Sequence, residues 1–93
     1  MILSLGATIL TASVPFTLKN RSLQSIYLEI PGVMNPNLSP MSNSGVDLAV
    51  GQRLYFFHKG KRYLLLEVSE ELKDQSVVVN QLIRQRKKEL GLN

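Results

Sequence analysis

Cysteine and tryptophan are absent from this 93-residue chain, and histidine occurs once. Without cysteine there is no disulfide framework and no thiolate-ligated zinc, although that lack suits an oxidising compartment as well as a reducing one. The cysteine and tryptophan signature of antibody-type domains is missing too. His58 stands alone among candidate bases. A nucleophilic triad needs a base oriented by a carboxylate beside a nucleophile, and a transition-metal site needs further ligands; the sequence fixes neither around His58. No glycine-rich phosphate loop occurs, since Gly45 and Gly51 flank a strand-like run. Glu70-Glu71, with Asp74 nearby, is the one local carboxylate cluster. Neighbours in a polar turn do not face each other across a cleft as glycoside hydrolysis requires, and the twelve-residue calcium-loop pattern is missing. These absences argue against an enzyme and imply no cofactor and no metal.

What is present is a globular composition, 44% hydrophobic and 19% charged, in a length that supports one modest core and not two. The formal net charge of +4 permits attraction to polyanions without naming a partner. Met1–Ala12, MILSLGATILTA, carries no charge and is rich in Ile, Leu and small residues. It is too short for a membrane-spanning helix but has the length of a secretory signal's apolar core, with Thr11-Ala12-Ser13 as small residues for cleavage. The basic n-region of such a signal is missing, as no Lys or Arg precedes Lys19, which is accounted for if Met1 is internal to a longer precursor. Residues 1–13 therefore read as a signal-peptide remnant or, alternatively, as a first strand through Ala7–Thr11. Residues 14–93 read as a single domain.

Within that domain, Phe16–Asn20 alternates as a short half-buried strand. Asn20-Arg21-Ser22 and Asn37-Leu38-Ser39 are formal glycosylation sequons, a pattern common by chance and read here as ordinary loop residues. Ser25–Ile30 alternates cleanly, with Ile26, Leu28 and Ile30 inward and Ser25, Tyr27 and Glu29 outward. The Pro- and Asn-rich stretch from Val33 predicts a long loop without regular structure, in which Val33, Met34, Leu38 and Met41 fold back over one end of the core. Gly45–Gly51 predicts a strand with Val46, Leu48 and Val50 on one face. After Val68, a polar connection holds one helical turn capped by Ser69, then a strand at Ser76–Val79. Asn80 is the expected cap of a helix over 80–90 that stops at Gly91, with Lys87 and Lys88 complementing its dipole. No helical pattern separates the strands before this point, which excludes parallel βαβ units.

Gln52–Val68, QRLYFFHKGKRYLLLEV, is the longest apolar-rich run and holds four of the six aromatics. It reads as a β-hairpin at the centre of the sheet. A two-residue loop at Lys59-Gly60 leaves neither face clearly polar. A three-residue loop, His58-Lys59-Gly60, closed by a G1 bulge with Gly60 left-handed, places Leu54, Phe56, Leu64, Leu66 and Val68 on one face. Arg53, Tyr55, Phe57, Lys61, Tyr63 and Leu65 then share the other. Core burial and turn chemistry favour the second register. The expected fold is all-β: a small immunoglobulin-like antiparallel β-sandwich of six to seven strands with one short C-terminal helix, a small closed barrel being the alternative.

The runs PGVMNPNLSPMSNSGVDLAVGQRLYF, GKRYLLLEV and LIRQRKKELGL, covering nearly the whole chain from Phe16 onward, resemble a family of short exported bacterial proteins of unknown function. The resemblance implies an immunoglobulin-like β-sandwich with a cleaved N-terminal signal, and it supplies no catalytic residues.

Two functional readings follow. In the first, the chain is an exported, non-enzymatic binding or structural module (periplasmic, cell-surface or secreted) that contacts protein or glycan at the cell envelope. In the second it is a small barrel that stacks single-stranded nucleic acid bases on an aromatic and basic sheet face. Export counts against nucleic acid as a partner, and a membrane enters only through the N-terminal signal. Both readings use the same candidate binding residues, Arg53, Tyr55, Phe57, Lys61 and Tyr63. The competing structural role for that face is to be covered, either by Leu82, Ile83 and Leu90 of the helix or by a second sheet. The basic run Arg84–Lys88 is either a polyanion contact or a solvated helix end.

Overall fold

A computed structural model describes residues 13–93. Apart from Ser13, the signal remnant or first strand expected over residues 1–13 lies outside the described residues. The chain forms β1 (Ser13–Asn20), β2 (Ile26–Glu29), β3 (Asn37–Leu38), β4 (Ser42–Ala49), β5 (Arg53–His58) and β6 (Lys61–Glu67). One 3-10 turn at Glu70–Leu72 then leads into β7 (Ser76–Val78) and α1 (Val79–Leu90). The structure is mostly β, arranged as two sheets with the one C-terminal helix: β4-β1-β7 in the first, β3-β2-β5-β6 in the second. Among the described residues no helix is long and apolar enough to cross a membrane.

Period-two alternation builds both sheets. Val14, Phe16 and Leu18 of β1 and Leu48 of β4 turn inward from the first sheet; Leu28, Leu38, Leu54, Phe56 and Leu65 do so from the second, and all join one buried cluster with Ile30, Val68 and Val79. Each fully buried Leu or Phe in it contributes about 2 kcal/mol of transfer free energy. Leu82 and Ile83 of α1 pack against the same cluster.

Several expectations are corrected. The strands are not wholly antiparallel, because β7 runs parallel to β1 through Thr17↔Ser76, Leu18↔Val77 and Lys19↔Val78. The chain leaves β6 in the second sheet, crosses by the 3-10 turn, and enters the first sheet in the direction of β1. The supposed long loop is shorter than its composition predicts. Asn37 and Leu38 pair with β2 as β3, and β4 begins at Ser42 rather than Gly45. Of the four residues expected to cover the core, only Leu38 is buried, while Val33, Met34 and Met41 are exposed. Val50 lies exposed in the turn after β4. Ser69 precedes the 3-10 turn without a side-chain cap bond. The cap of helix α1 falls at Val78, two residues before Asn80, and the Asn80 side chain does not cap it; its Oδ1 accepts from the Arg21 backbone N–H at 2.9 Å. The stop is as expected: Gly91 takes a φ of 70°, and the Leu92 N–H reaches the Lys87 carbonyl at 2.8 Å.

The hairpin lies at one end of the second sheet, with β6 as its edge strand, rather than at the centre, and it takes the two-residue loop. Lys59 (φ 51°) and Gly60 (φ 80°) are both left-handed, the pattern of a type I′ turn, whose twist matches that of the flanking strands. His58 therefore pairs with Lys61, Phe56 with Tyr63 and Tyr55 with Leu64. The pairing then jumps to Leu54↔Leu66, so Leu65 is an extra residue bulged into β6. The bulge resolves the ambiguity of three consecutive leucines: Leu65 is buried and Leu66 packs on the core, while Leu64 takes the opposite face.

Asn20, at the end of β1, is a fully buried polar residue. Its Nδ2 donates to the carbonyls of Gln24 (2.7 Å), Leu38 (3.1 Å) and Ser39 (3.1 Å), and its Oδ1 accepts from the backbone N–H and hydroxyl of Ser22 (2.9 and 2.7 Å). With its amide so engaged, Asn20 is no glycan acceptor, but buried at the end of a strand it is not the ordinary loop residue expected either.

Three variants test these features by urea denaturation. Asn20→Ala strips donors from three carbonyls and is expected to cost about 3 kcal/mol. Asn20→Asp is expected to gain stability as pH falls, because only the protonated carboxyl can donate to those carbonyls, so its folded pKa is raised. Gly60→Ala meets no atom within 4 Å at its new Cβ, so its expected loss of about 1 kcal/mol is purely conformational.

Candidate functional site

The outer face of the second sheet is assembled from the residues that alternate with its buried ones. Leu28, Leu54 and Phe56 point inward, which leaves Tyr27 and Glu29 of β2, Arg53, Tyr55 and Phe57 of β5, and Arg62 and Leu64 of β6 outward. The Tyr27 and Phe57 rings lie 5.8 Å apart at a tilt of 37°, and remain 52% and 40% exposed. The Arg62 guanidinium sits 4.1 Å above the Tyr55 ring and 2.8 Å from the Glu29 carboxylate. That bond to Glu29 holds the Arg62 proton more firmly than usual. Arg53 bonds Glu67 at 3.2 Å across the base of the hairpin. The face thus combines an open aromatic pair with two cations, each already matched by a carboxylate.

Of the expected site residues, Arg53, Tyr55 and Phe57 are brought together here, but Lys61 and Tyr63 are not. The type I′ turn puts Lys61 opposite His58 and Tyr63 opposite Phe56, on the inward side. Tyr63 packs against the core, its ring 5.8 Å from that of Phe56, and Leu65 is buried. Tyr27, Glu29 and Arg62 take their places. The alternation of Ser25–Ile30 had already set Tyr27 and Glu29 outward; what the sequence does not carry is that this strand pairs with β5.

Helix α1 leaves these outer rings uncovered. Leu82 and Ile83 go to the core, Leu90 is 43% exposed, and Arg86 Nε donates to the Leu64 carbonyl at 3.2 Å, engaging the open edge of β6. The basic run is accordingly divided. Arg86 is also paired with Glu89, whose carboxyl it holds below the usual carboxylate range, whereas Arg84 and Lys88 are exposed. Lys87 is half-buried beside a cleft of about 350 Å³ between α1, the start of β2 and the end of β5. Tyr27 and Phe57 form part of its wall, so the open aromatic pair and the cleft are continuous.

His58 is the last residue of β5 rather than part of the loop. Partial loss of solvent, then Lys87 and Lys59, hold its imidazole below its ordinary pKa. Glu70 and Glu71 are exposed in the 3-10 turn, and among the described residues no three His, Asp or Glu side chains converge.

Comparison with protein-family models, curated proteins and solved structures finds no match for the chain.

Arg62→Ala removes the cover from Tyr55 and the partner of Glu29. Because the pair is solvated, the expected outcome is a small fall in the urea midpoint. A double-mutant cycle between Arg62 and Tyr55 should return a favourable, non-zero coupling, and additive single-mutant effects would show that the guanidinium does not lie over the ring in solution.

Proposed function

We propose that this chain is an exported, non-enzymatic binding module built on an immunoglobulin-like β-sandwich, acting through protein or glycan contacts at the cell envelope. The observation that carries the binding role is the open Tyr27–Phe57 pair, on a sheet face whose cations are already neutralised. A half-exposed aromatic pair beside a cleft offers contact area with little side-chain entropy to lose, which suits recognition more than stability.

The strand order supports the sandwich assignment. β1 pairs with β4 in one sheet while β2, β5 and β6 are neighbours in the other, which matches strands B and E against C, F and G of an immunoglobulin-like domain. β3 then extends the second sheet beside strand C. The parallel β7 next to β1 is a departure from the antiparallel A–B pairing of that plan. Export rests on the uncharged apolar stretch Met1–Ala12 and on the resemblance to short exported bacterial proteins.

The nucleic-acid alternative draws less support from this geometry. Base stacking with phosphate neutralisation needs several free cations beside open rings, but Arg53 and Arg62 are committed to Glu67 and Glu29 and Arg62 occupies the Tyr55 ring, which leaves Lys87 as the single unpaired cation beside Tyr27 and Phe57.

Mass spectrometry of the mature N-terminus, combined with cell fractionation, tests the export reading. A processed chain in the envelope or medium is expected, and an unprocessed chain confined to the cytoplasm would overturn it. Titration with fluorescent oligothymidylate at low salt separates the alternative: no salt-sensitive binding is expected.

A further inference from the structure

The cleft beside the aromatic pair has a chemistry of its own. Ile83 and the Tyr27 and Phe57 rings give it apolar walls, while Gln24 and Asn80 bring amides to its rim. Asn80 is fixed by the bond its Oδ1 accepts from Arg21 N–H, which leaves its Nδ2 as a placed donor. Among the described residues that line the cleft, Lys87 is the one charged side chain, so these bring a cation and no carboxylate to neutralise it. Its volume of about 350 Å³ falls at the small end of ligand sites.

We propose that this cleft holds a carboxylate-bearing pyranose, a hexuronate unit of an acidic glycan, with Tyr27 and Phe57 against the ring and Lys87 on its carboxylate. This rests on the reading of the chain as a binding module and narrows its ligand. A pyranose has one face of axial C–H bonds that lies flat on an aromatic ring, and equatorial hydroxyls that both donate and accept, as amides do. The carboxylate supplies the negative partner that the Lys87 ammonium lacks among the described lining residues. The surroundings agree in sign: His58, next in sequence to Phe57, has its imidazole held below its ordinary pKa first by partial loss of solvent and then by Lys87 and Lys59. An acidic peptide fits less well. β2 lies between β3 and β5, and β5 between β2 and β6, so the strands that floor the cleft offer no open edge to a peptide backbone.

The test uses tetragalacturonate and its methyl ester, which share a sugar body and differ in charge, titrated into the full chain and followed by NMR shifts of the Tyr27 and Phe57 ring protons. Tetragalacturonate is expected to bind about tenfold more tightly than the ester, the value of one charge-assisted contact, and to weaken with salt. Lys87→Gln should abolish that tenfold preference while ester binding persists, and Tyr27→Ala should weaken both ligands; circular dichroism checks that each variant is folded. Equal binding of the two forms, an unchanged preference in Lys87→Gln, or tighter binding of hexaglutamate would overturn the hexuronate assignment. An exported chain that ignores tetragalacturonate would sink this ligand and leave the envelope module standing, whereas an unprocessed cytoplasmic chain that binds it would do the reverse.

Discussion

The side-chain amide of Asn20 is the constraint on which the arrangement of the two sheets turns. It sits where β1 of one sheet ends, yet two of the carbonyls it satisfies belong to Leu38 and Ser39, at and just beyond the edge strand β3 of the other sheet. The remaining bonds close the Arg21–Ser25 bend upon itself. A fully buried polar group is tolerable only when its bonding capacity is met, and here both ends of the amide are in use. The same residue therefore decides where β1 stops, how the chain turns into β2, and where Leu38 enters the core. An apolar side chain of similar volume would fill the space and leave the carbonyls without partners.

The hairpin shows how a local rule can be right in kind and wrong in register. Turn chemistry and apolar content located the hairpin, its glycine and its inward Leu54 and Phe56. If alternation runs unbroken through Tyr63–Val68, only a three-residue loop yields a clean core. A bulge at Leu65 breaks the alternation instead, and the loop can then take the I′ form even though Lys59 must adopt a positive φ. Nothing local marks that trade, because it is settled by packing against the opposite sheet. Tyr63 moved inward and Arg62 outward for the same reason. The helix stop at Gly91 and the alternation of β2 were legible because each depends on residues close in sequence, whereas the short strand β3 was not. The parallel β7, the bond from Arg86 to the edge of β6 and the duties of Asn20 and Asn80 depend on partners far along the chain.

Charge is distributed unevenly over the fold. On the outer face Arg53 and Arg62 meet Glu67 and Glu29, so that face contributes little net charge. Much of the excess lies at the other end of the hairpin, where Lys59 and Lys61 flank the turn, and on α1, where Arg84, Lys87 and Lys88 are unmatched by the single Glu89. The basic run that looked uniform in sequence is split in function: Arg86 is a structural tie, and Lys87 is placed beside the cleft.

The parallel seam between β1 and β7 has a mechanical consequence. A pull applied at Ser13 and at the end of α1 would reach the two strands at opposite ends of their shared ladder, since they run in the same direction. Their hydrogen bonds would then be loaded lengthwise and together, rather than opened one at a time from an end. Once α1 has unravelled, the three registered pairs from Thr17↔Ser76 to Lys19↔Val78 stand between an intact fold and a stretched chain. A domain tethered between two points would meet tension along its stiffest direction.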